Sequence, residues 1–380
     1  MSISGKVAIV GAAESDVWES QGRSPLGLMG QAVKRALDDA GLTKDDVDGL
    51  FTASSYYYMP VLNLGEYLKI FPRYADSSTI GGCSFVSHIQ HAAAAIEAGL
   101  CEVAVITYGS TQRSDRGKLV SMSEWLAYEE PYGLQHPISS FGLIAQRHMA
   151  QYGTTSEQLA EIAVSAREWA LMNPKAPYPT PLTTEEVLSS RMISTPLHKL
   201  DCCLVTDGGG ALVVTSVERA KDLKSTPIYV LGTGEAVNHR NILGMDDLTR
   251  TEAVASSQRA YSMAGVTPQD FDTVHVYDAF TISALIQLED LGFCEKGEGG
   301  AFVEGGRIAP GGELPVNTNG GGLSYCHPGM LSMFLLLEAI AQLRGEAGER
   351  QIPDAELSLV HGMGGTLAGH ATAVLSNRQG

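Results

Sequence analysis

The 380-residue sequence has no CxxC pair, no cluster of basic residues and no long apolar run. Without a CxxC pair it lacks the ligand spacing of a zinc knuckle, although six cysteines are present. The 26 Lys and Arg residues stand against 43 Asp and Glu residues, and the resulting net charge of −17 argues against a nucleic-acid-binding surface. An acidic chain can still bind an anion where a few cations and backbone amides meet. The cysteines are Cys83, Cys101, Cys202, Cys203, Cys294 and Cys326.

Further absences narrow the class of protein. The longest apolar run, 330–340, is too short to cross a bilayer. Gly11 and Gly232 belong to no GxGxxG loop and no Walker motif occurs, so nucleotide hydrolysis has no support. Unpatterned cysteines in a chain of this length are typical of a reducing compartment, and residues 1–5 do not begin a charged-then-apolar leader. We therefore expect a cytoplasmic protein with no membrane and no nucleic-acid partner.

The sequence contains an internal repeat. Ala40–Asp48 and Ala264–Asp272 share Ala-Gly, Thr and two Asp residues at a constant offset of 224 residues. After each copy the pattern predicts a strand, a glycine-led turn into an apolar helix, and two further strands. The first copy separates its last two strands by a segment at about 111–199. The sequence thus predicts two α/β halves, 1–225 and 226–380, with an insertion in the first.

The glycine-led turn of the first half contains a candidate nucleophile. Gly81-Gly82-Cys83 precedes an Ala-rich run that predicts a helix. A cysteine at a helix N-terminus faces unpaired N–H groups and the positive end of the dipole, which favour a thiolate. The alternative is a small buried thiol beside a turn. Corresponding helix starts of a pseudo-twofold pair face each other, so the repeat predicts that Cys83 lies towards His327 and favours catalysis.

The second half offers further candidates. Asn317 to Gly329 ends in His-Pro, which predicts an imidazole at the start of a helix, where it could take a proton or bind a carbonyl oxygen. Tyr277 ends a predicted strand, with Asp278 suited to fixing a turn. His361 and the N–H of Gly364 end another strand and would suit an acid–base beside an oxyanion hole. For each of these the alternative is a structural role, as a cap, a core side chain or a strand end.

With these residues assembled, the chain resembles the thiolase superfamily, in its sterol carrier protein-type branch. Asn317 to Gly329 matches the N-x-N-G-G-(x)5-H-P pattern, and Cys83 falls at the position of the acyl-accepting cysteine. The resemblance implies a five-layered αβαβα core of duplicated βαβ-rich halves with an inserted loop domain. It implies catalytic roles for Cys83, His327, His361 and Tyr277, and oxyanion or substrate-binding roles for Gly364, Asn319 and Tyr325. It implies no metal and no permanently bound cofactor, with coenzyme A as a substrate.

The departures from the family pattern leave the reaction open. A second catalytic cysteine is missing, because His361 stands at its apparent place and Ala279 and Tyr277 replace other family residues. The first hypothesis is CoA-dependent cleavage of a 3-oxoacyl-CoA through an acyl-Cys83 intermediate, with His361 or Tyr277 completing the cycle. The second is retro-aldol cleavage of a 3-hydroxyacyl-CoA by Tyr277 or Tyr325, as in steroid side-chain aldolases. The third is a non-catalytic acyl-CoA- or lipid-binding subunit.

The resemblance also implies partners and a substrate class. Members of the branch act in β-oxidation and in the degradation of lipids, steroids and aromatic compounds, including benzoylsuccinyl-CoA cleavage. We expect a homodimer, which could form a heterotetramer with a small zinc-ribbon and OB-fold subunit. Trp125, Tyr128 and Tyr132 of the insertion hint at a bulky or aromatic acyl group.

Overall fold

The computed structural model describes residues 3–116 and 128–380, and these ranges contain eleven strands and eleven α-helices. The strands are β1 (Val7–Glu14), β2 (Gly49–Thr52), β3 (Tyr74–Asp76), β4 (Val103–Ser110), β5 (Met192–Ser194), β6 (Leu197–His198), β7 (Gly208–Ser216), β8 (Ile228–Val237), β9 (Thr273–Val276), β10 (Leu357–Gly364) and β11 (Gly369–Ser376). The helices are α1 (Pro25–Ala40), α2 (Pro60–Leu68), α3 (Ser84–Glu97), α4 (Ile138–Tyr152), α5 (Ser156–Leu171), α6 (Thr184–Ser189), α7 (Val217–Ala220), α8 (Ala253–Ala264), α9 (Thr281–Asp290), α10 (Gly299–Val303) and α11 (Ser332–Arg344).

The sheet carries the duplication in its strand order, which is β3-β2-β4-β7-β1-β8-β11-β10-β9. From outside inwards, β2-β4-β7-β1 of the first half corresponds to β9-β10-β11-β8 of the second. In each set the outer pair is parallel and the other neighbours are antiparallel. Two residue pairs between β1 and β8 join the halves. The predicted duplicated α/β architecture is confirmed.

The repeated Thr-x-x-Asp sequence forms the same turn in both halves. The Thr43 N–H donates to the Asp46 carboxylate at 2.9 Å, and the Thr267 N–H donates to Asp270 at 2.7 Å. Each turn ends a helix-to-strand connection, before β2 and before β9. The sequence repeat therefore reflects one local hydrogen-bonding requirement that is met twice.

The helices and half-sheets build five layers. α1 packs outside the first half-sheet, and α8 packs outside the second. Between the half-sheets lie α3 and α11, each of which contacts strands of both halves, and the main apolar core surrounds them. This arrangement brings the starts of α3 and α11 together at the centre of the molecule.

The helices predicted for the insertion, 138–152 and 156–171, are observed as α4 and α5. The prediction of a helix beginning at His327-Pro328 is wrong, because Gly329 has a φ of 100° and α11 begins only at Ser332. The division at 225/226 stays a prediction. Within the described ranges, no helix has the length and apolar character needed to cross a membrane.

Candidate active site

The turn Gly81–Cys83 leads directly into α3 and sets Cys83 at its N-terminus. A Cβ placed on Gly82 would lie 2.5 Å from the Tyr277 hydroxyl oxygen, so only glycine allows this approach. Cys83 is fully buried, and its thiol donates to the Ile80 carbonyl at 3.3 Å. Burial raises the pKa of the Cys83 thiol, and Glu235 adds to the rise. Desolvation thus opposes the thiolate that the position at the helix N-terminus predicts.

The hairpin of β10 and β11 surrounds the sulfur with glycines. A Cβ on Gly362 would lie 2.8 Å from Cys83 Cα, and one on Gly364 would lie 3.0 Å from its Sγ. A Cβ on Gly369 would lie 3.3 Å from the same sulfur. The hairpin thus meets Cys83 with backbone at these positions and supplies no acid–base side chain from them.

The structure does not bring His361 to Cys83. Neighbouring residues of a strand point to opposite faces, so the contact of Gly362 with Cys83 directs His361 away from it. The His361 ring lies 2.8 Å from the Thr372 hydroxyl and 3.0 Å from Nδ1 of His370. Nε2 of His370 donates to the Leu367 carbonyl at 3.2 Å, so His361 donates to His370 in turn. Burial lowers the pKa of His361 well below its usual value, and the ring is neutral.

Tyr277, which approaches Gly82, is paired with His327. Their rings meet edge to face with centroids 5.6 Å apart. The Tyr277 hydroxyl donates to the Gly329 carbonyl at 3.3 Å and accepts from the Leu331 N–H at 3.2 Å. Burial raises the pKa of Tyr277 well above 10 and lowers the pKa of His327 to about 4. At neutral pH the phenol is therefore protonated and the imidazole is neutral.

Buried amides hold Tyr277 in place. The Asn317 side chain, at a φ of 51°, accepts from the Val276 N–H and donates to the Val276 carbonyl, both at 2.9 Å. The Gln287 side chain brackets the Tyr277 backbone in the same way, at 3.0 and 2.7 Å. Both ends of the strand-end peptide are thus fixed by side chains, which limits the positions open to the phenol.

Asp278 holds the turn that leads to His327. Its carboxylate accepts from the Gly322 N–H at 2.7 Å and from the Leu323 N–H at 3.2 Å, as the prediction of a turn-fixing role requires. Burial raises the pKa of Asp278 to about 7, against the opposing effect of these N–H groups. Further along, the Thr206 hydroxyl accepts from the His327 N–H at 3.1 Å. The backbone of His327 is therefore fixed, whereas Nε2 of its ring has no hydrogen-bond partner among the described residues.

Tyr325 and Asn319 border a different space. The Tyr325 hydroxyl donates to Glu14 at 2.6 Å, and the Asn319 side chain accepts from the Gly321 N–H at 2.9 Å. Both residues line a cavity of about 580 Å³ that Cys83, Tyr277 and His327 do not line. The structure thus brings Cys83, Tyr277 and Gly364 together, with His327 against the Tyr277 ring, and it leaves His361, Asn319 and Tyr325 outside that cluster.

The aromatic residues of the insertion that were predicted to form a pocket wall are exposed where the structure describes them. Trp125 lies outside the described residues, while Tyr128 and Tyr132 are 81% and 82% exposed. Within residues 3–116 and 128–380, no group of three or more His, Cys, Asp or Glu residues could hold a metal ion.

Sequence reasoning missed Ser332, a buried residue that opens α11 beside the site. A Cβ on Gly362 would lie 3.2 Å from Ser332 Cβ, so Ser332 and Cys83 flank the same glycine. The signal that could have found it is the matching serine, Ser84, which opens α3.

Comparisons with known proteins agree with this geometry. Residues 234–377 match the family model described as thiolase C-terminal domain-like. The chain is 32% identical over 377 residues to an acetyl-CoA acetyltransferase of Methanothermobacter thermautotrophicus, a match that covers 95% of this chain and 96% of that protein. It is 37% identical over 368 residues to a steroid side-chain-cleaving aldolase of Thermomonospora curvata, covering 90% and 91%. The solved structure of an Ltp2-ChsH2(DUF35) aldolase matches with a TM-score of 0.90 at 34% identity, over 98% of both chains.

The fold is the thiolase fold, and the predicted fold class is confirmed. The chain belongs to the thiolase superfamily, as its sequence motifs predicted. Its relatives include proteins named for acetyl transfer and proteins named for aldol cleavage, so family membership alone leaves the reaction open.

Proposed function

We propose that the protein cleaves a carbon–carbon bond of an acyl-CoA, and that the reaction is retro-aldol cleavage of a 3-hydroxyacyl-CoA. The observation that carries this proposal is the pairing of Tyr277 with His327, whose Nε2 has no partner among the described residues. The thiol of Cys83 donates to a carbonyl and faces glycines, which supports a non-nucleophilic role. The order of the first two sequence hypotheses is thereby reversed.

The proposed chemistry uses one base and one hydrogen-bond donor. Nε2 of neutral His327 takes the proton of the substrate 3-hydroxyl, and the oxygen lone pair forms a carbonyl as the C2–C3 bond breaks. The bonding electrons move to the thioester as an enolate, to which the protonated Tyr277 hydroxyl donates. The His327 imidazolium then returns the proton to C2. The products are an aldehyde or ketone and a shortened acyl-CoA, with no net change in protons and no cofactor.

This assignment differs from the sequence hypothesis in the identity of the base. A phenol whose pKa is raised stays protonated at neutral pH, so Tyr277 is suited to donate rather than to abstract a proton. Tyr325 is bonded to Glu14 and borders another cavity, so we give it no catalytic step.

The test is cleavage in the absence of added CoA, followed by detection of the released aldehyde or ketone. We expect His327→Gln to lower kcat by about 10²–10⁴-fold, the usual contribution of a general base, and Cys83→Ala to retain cleavage within a few-fold. Tyr261→Phe is the control for Tyr277→Phe, because Tyr261 is also a hydrogen-bonded tyrosine and lies on α8. Cleavage that requires CoA, or that is lost in Cys83→Ala alone, contradicts the proposal.

A second candidate is CoA-dependent cleavage of a 3-oxoacyl-CoA through an acyl-Cys83 intermediate. The position of Cys83 at the N-terminus of the 14-residue helix α3 favours it, because the helix end stabilises negative charge. Its signature is the release of two thioesters and an acyl adduct on Cys83 in the mass spectrum. Acyl-CoA binding with neither reaction would instead support a non-catalytic subunit.

We further propose that the protein acts in the cytoplasm, as a homodimer that also binds a small subunit. A dimer is supported by exposed apolar side chains on and beside α2, near the edge strand β3. These are Tyr58, Met59, Leu62, Tyr67 and Phe71. The aldolase of the matching structure is described as a complex of Ltp2 with ChsH2(DUF35), which supports a heteromeric assembly. Light scattering of the wild type and Leu62→Glu tests the dimer, and a monomeric wild type contradicts it.

A further inference from the structure

Two buried polar atoms of the site lack hydrogen-bond partners within the described ranges. They are Nε2 of His327 and the hydroxyl of Ser332, whose residue has no exposed surface. A buried polar group without a partner costs free energy, so native proteins keep few of them. Other atoms of this kind lie elsewhere in the chain, but these two belong to one six-residue segment, 327–332.

That segment wraps around the Tyr277 hydroxyl. Gly329 accepts from this hydroxyl and Leu331 donates to it, while the His327 ring lies against the Tyr277 ring. Ser332 follows Leu331 and shares Gly362 as a neighbour with Cys83. The two unpartnered atoms therefore belong to residues that flank Tyr277: the His327 ring meets its ring, and Ser332 follows the residue whose N–H donates to its hydroxyl.

A third unpartnered atom near this segment is Oε1 of Gln112, a residue that is 2% exposed. A Cβ on Gly329 would lie 3.3 Å from Nε2 of Gln112 and 3.2 Å from the Tyr108 hydroxyl. Gln112 thus lies on the side of Gly329 that faces Tyr108, whose hydroxyl donates to the Pro328 carbonyl at 2.5 Å. We therefore assign Gln112 no part in binding the substrate.

We propose that Ser332 is a substrate-binding residue and that it donates to the 3-hydroxyl oxygen of the substrate while His327 accepts the hydroxyl proton. A substrate hydroxyl satisfies both atoms at once, because its oxygen accepts from Ser332 and its proton goes to Nε2. As the proton acceptor of the proposed step, His327 carries its own proton on Nδ1, and in that tautomer a carbonyl oxygen would leave Nε2 unpartnered. The inference rests on the proposed retro-aldol function and adds the residue that recognises the hydroxylated substrate.

The first test measures stability. Ser332→Ala removes a buried hydroxyl that has no partner in the described part of the chain, so we expect the Tm to stay unchanged or to rise by about 1 °C. The control is Ser256→Ala, because Ser256 is equally buried but bonds Ala253 and Thr372, at 3.2 and 3.0 Å. We expect the control to lower the Tm by about 1–3 °C. A comparable loss in Ser332→Ala would mean that Ser332 has a structural partner, which overturns the inference.

The second test measures recognition without turnover. The probes are S-(3-hydroxy-3-phenylpropyl)-CoA and S-(3-phenylpropyl)-CoA. Both are thioethers that lack the thioester carbonyl, so neither mechanism can cleave them. Calorimetry of the wild type is expected to show about tenfold tighter binding of the hydroxylated probe, as for one added hydrogen-bonded group. Ser332→Ala should bring the two affinities within about twofold and leave binding of the unhydroxylated probe unchanged.

The outcomes separate this inference from the function on which it rests. Equal affinities in the wild type, or equal weakening of both probes in Ser332→Ala, overturn the role of Ser332 and leave the cleavage assay to decide the reaction. A hydroxyl preference that depends on Ser332, in a protein that cleaves no 3-hydroxyacyl-CoA, supports the binding site and overturns the retro-aldol function.

Discussion

The pH dependence of cleavage distinguishes a histidine base from a cysteine nucleophile. Burial lowers the pKa of His327 to about 4, so the ring is about 99% neutral at pH 6 and above. We therefore expect kcat/KM for a 3-hydroxyacyl-CoA to change by less than about twofold between pH 6 and 8, and to fall only as the pH approaches 4. The Tyr277 donor adds no alkaline limb in this range, because its pKa lies well above 10.

A thiolate mechanism has the opposite dependence. Burial raises the pKa of Cys83, so the thiolate fraction rises about tenfold per pH unit, or about a hundredfold from pH 6 to 8. The assay is the initial rate of aldehyde or ketone release without CoA at each pH. Aliquots held at each pH and then assayed at pH 7 control for irreversible unfolding. A tenfold rise per pH unit in CoA-free cleavage would refute the assignment of His327 as a base that is already neutral.

Three further predictions concern the packing around the site. Gly82→Ala should displace Tyr277 and lower kcat at least about tenfold, because overpacking costs about 1–3 kcal/mol. Gly27→Ala is the control, because a Cβ there meets only ordinary contacts and should leave kcat unchanged. Equal activities of the two variants would contradict the close approach of Gly82 to Tyr277. Asp278→Ala should lower the free energy of unfolding by about 1–3 kcal/mol in urea titrations, because it frees the Gly322 and Leu323 N–H groups, and an unchanged midpoint would contradict the role of Asp278 in the turn. The free energy of unfolding should also fall as the pH drops from about 6.5 towards 4, because five buried histidines with lowered pKa values take up protons more readily in the unfolded chain, by about 1.4 kcal/mol per pKa unit for each. Asp278, with its raised pKa, acts in the opposite sense over this range, and a midpoint that stays constant would contradict the histidine burial. The histidines are His88, His275, His327, His361 and His370.

The duplication was predictable because both halves form the same turns and helix starts with the same residue types. Thr-x-x-Asp turns and glycine-led helix starts depend on neighbours in sequence, and such short-range requirements are visible in a single chain. The starts of α3 and α11 meet at Gly362, where Cys83 and Ser332 lie on either side, and the prediction that Cys83 lies towards His327 stays a prediction.

The details that failed depend on distances that the sequence does not contain. The motif could not decide whether His361 or Gly362 faces Cys83, because a one-residue shift in strand register exchanges the two faces. The Tyr325 hydroxyl donates a hydrogen bond to Glu14, which is 311 residues away in sequence. The protonation state of Cys83 depends on how completely the surrounding layers exclude water, and no local pattern reports that burial.

The glycine-surrounded sulfur limits how the protein can be altered by mutation. At Gly362 and Gly364 the smallest side chain already meets Cys83, so gradual changes in side-chain size cannot reshape this wall. Selection for a new acyl group would have to act on other walls of the site. A mutant library aimed at substrate range should therefore spare the β10–β11 hairpin. The most tightly packed part of the site is in this sense also its least evolvable part.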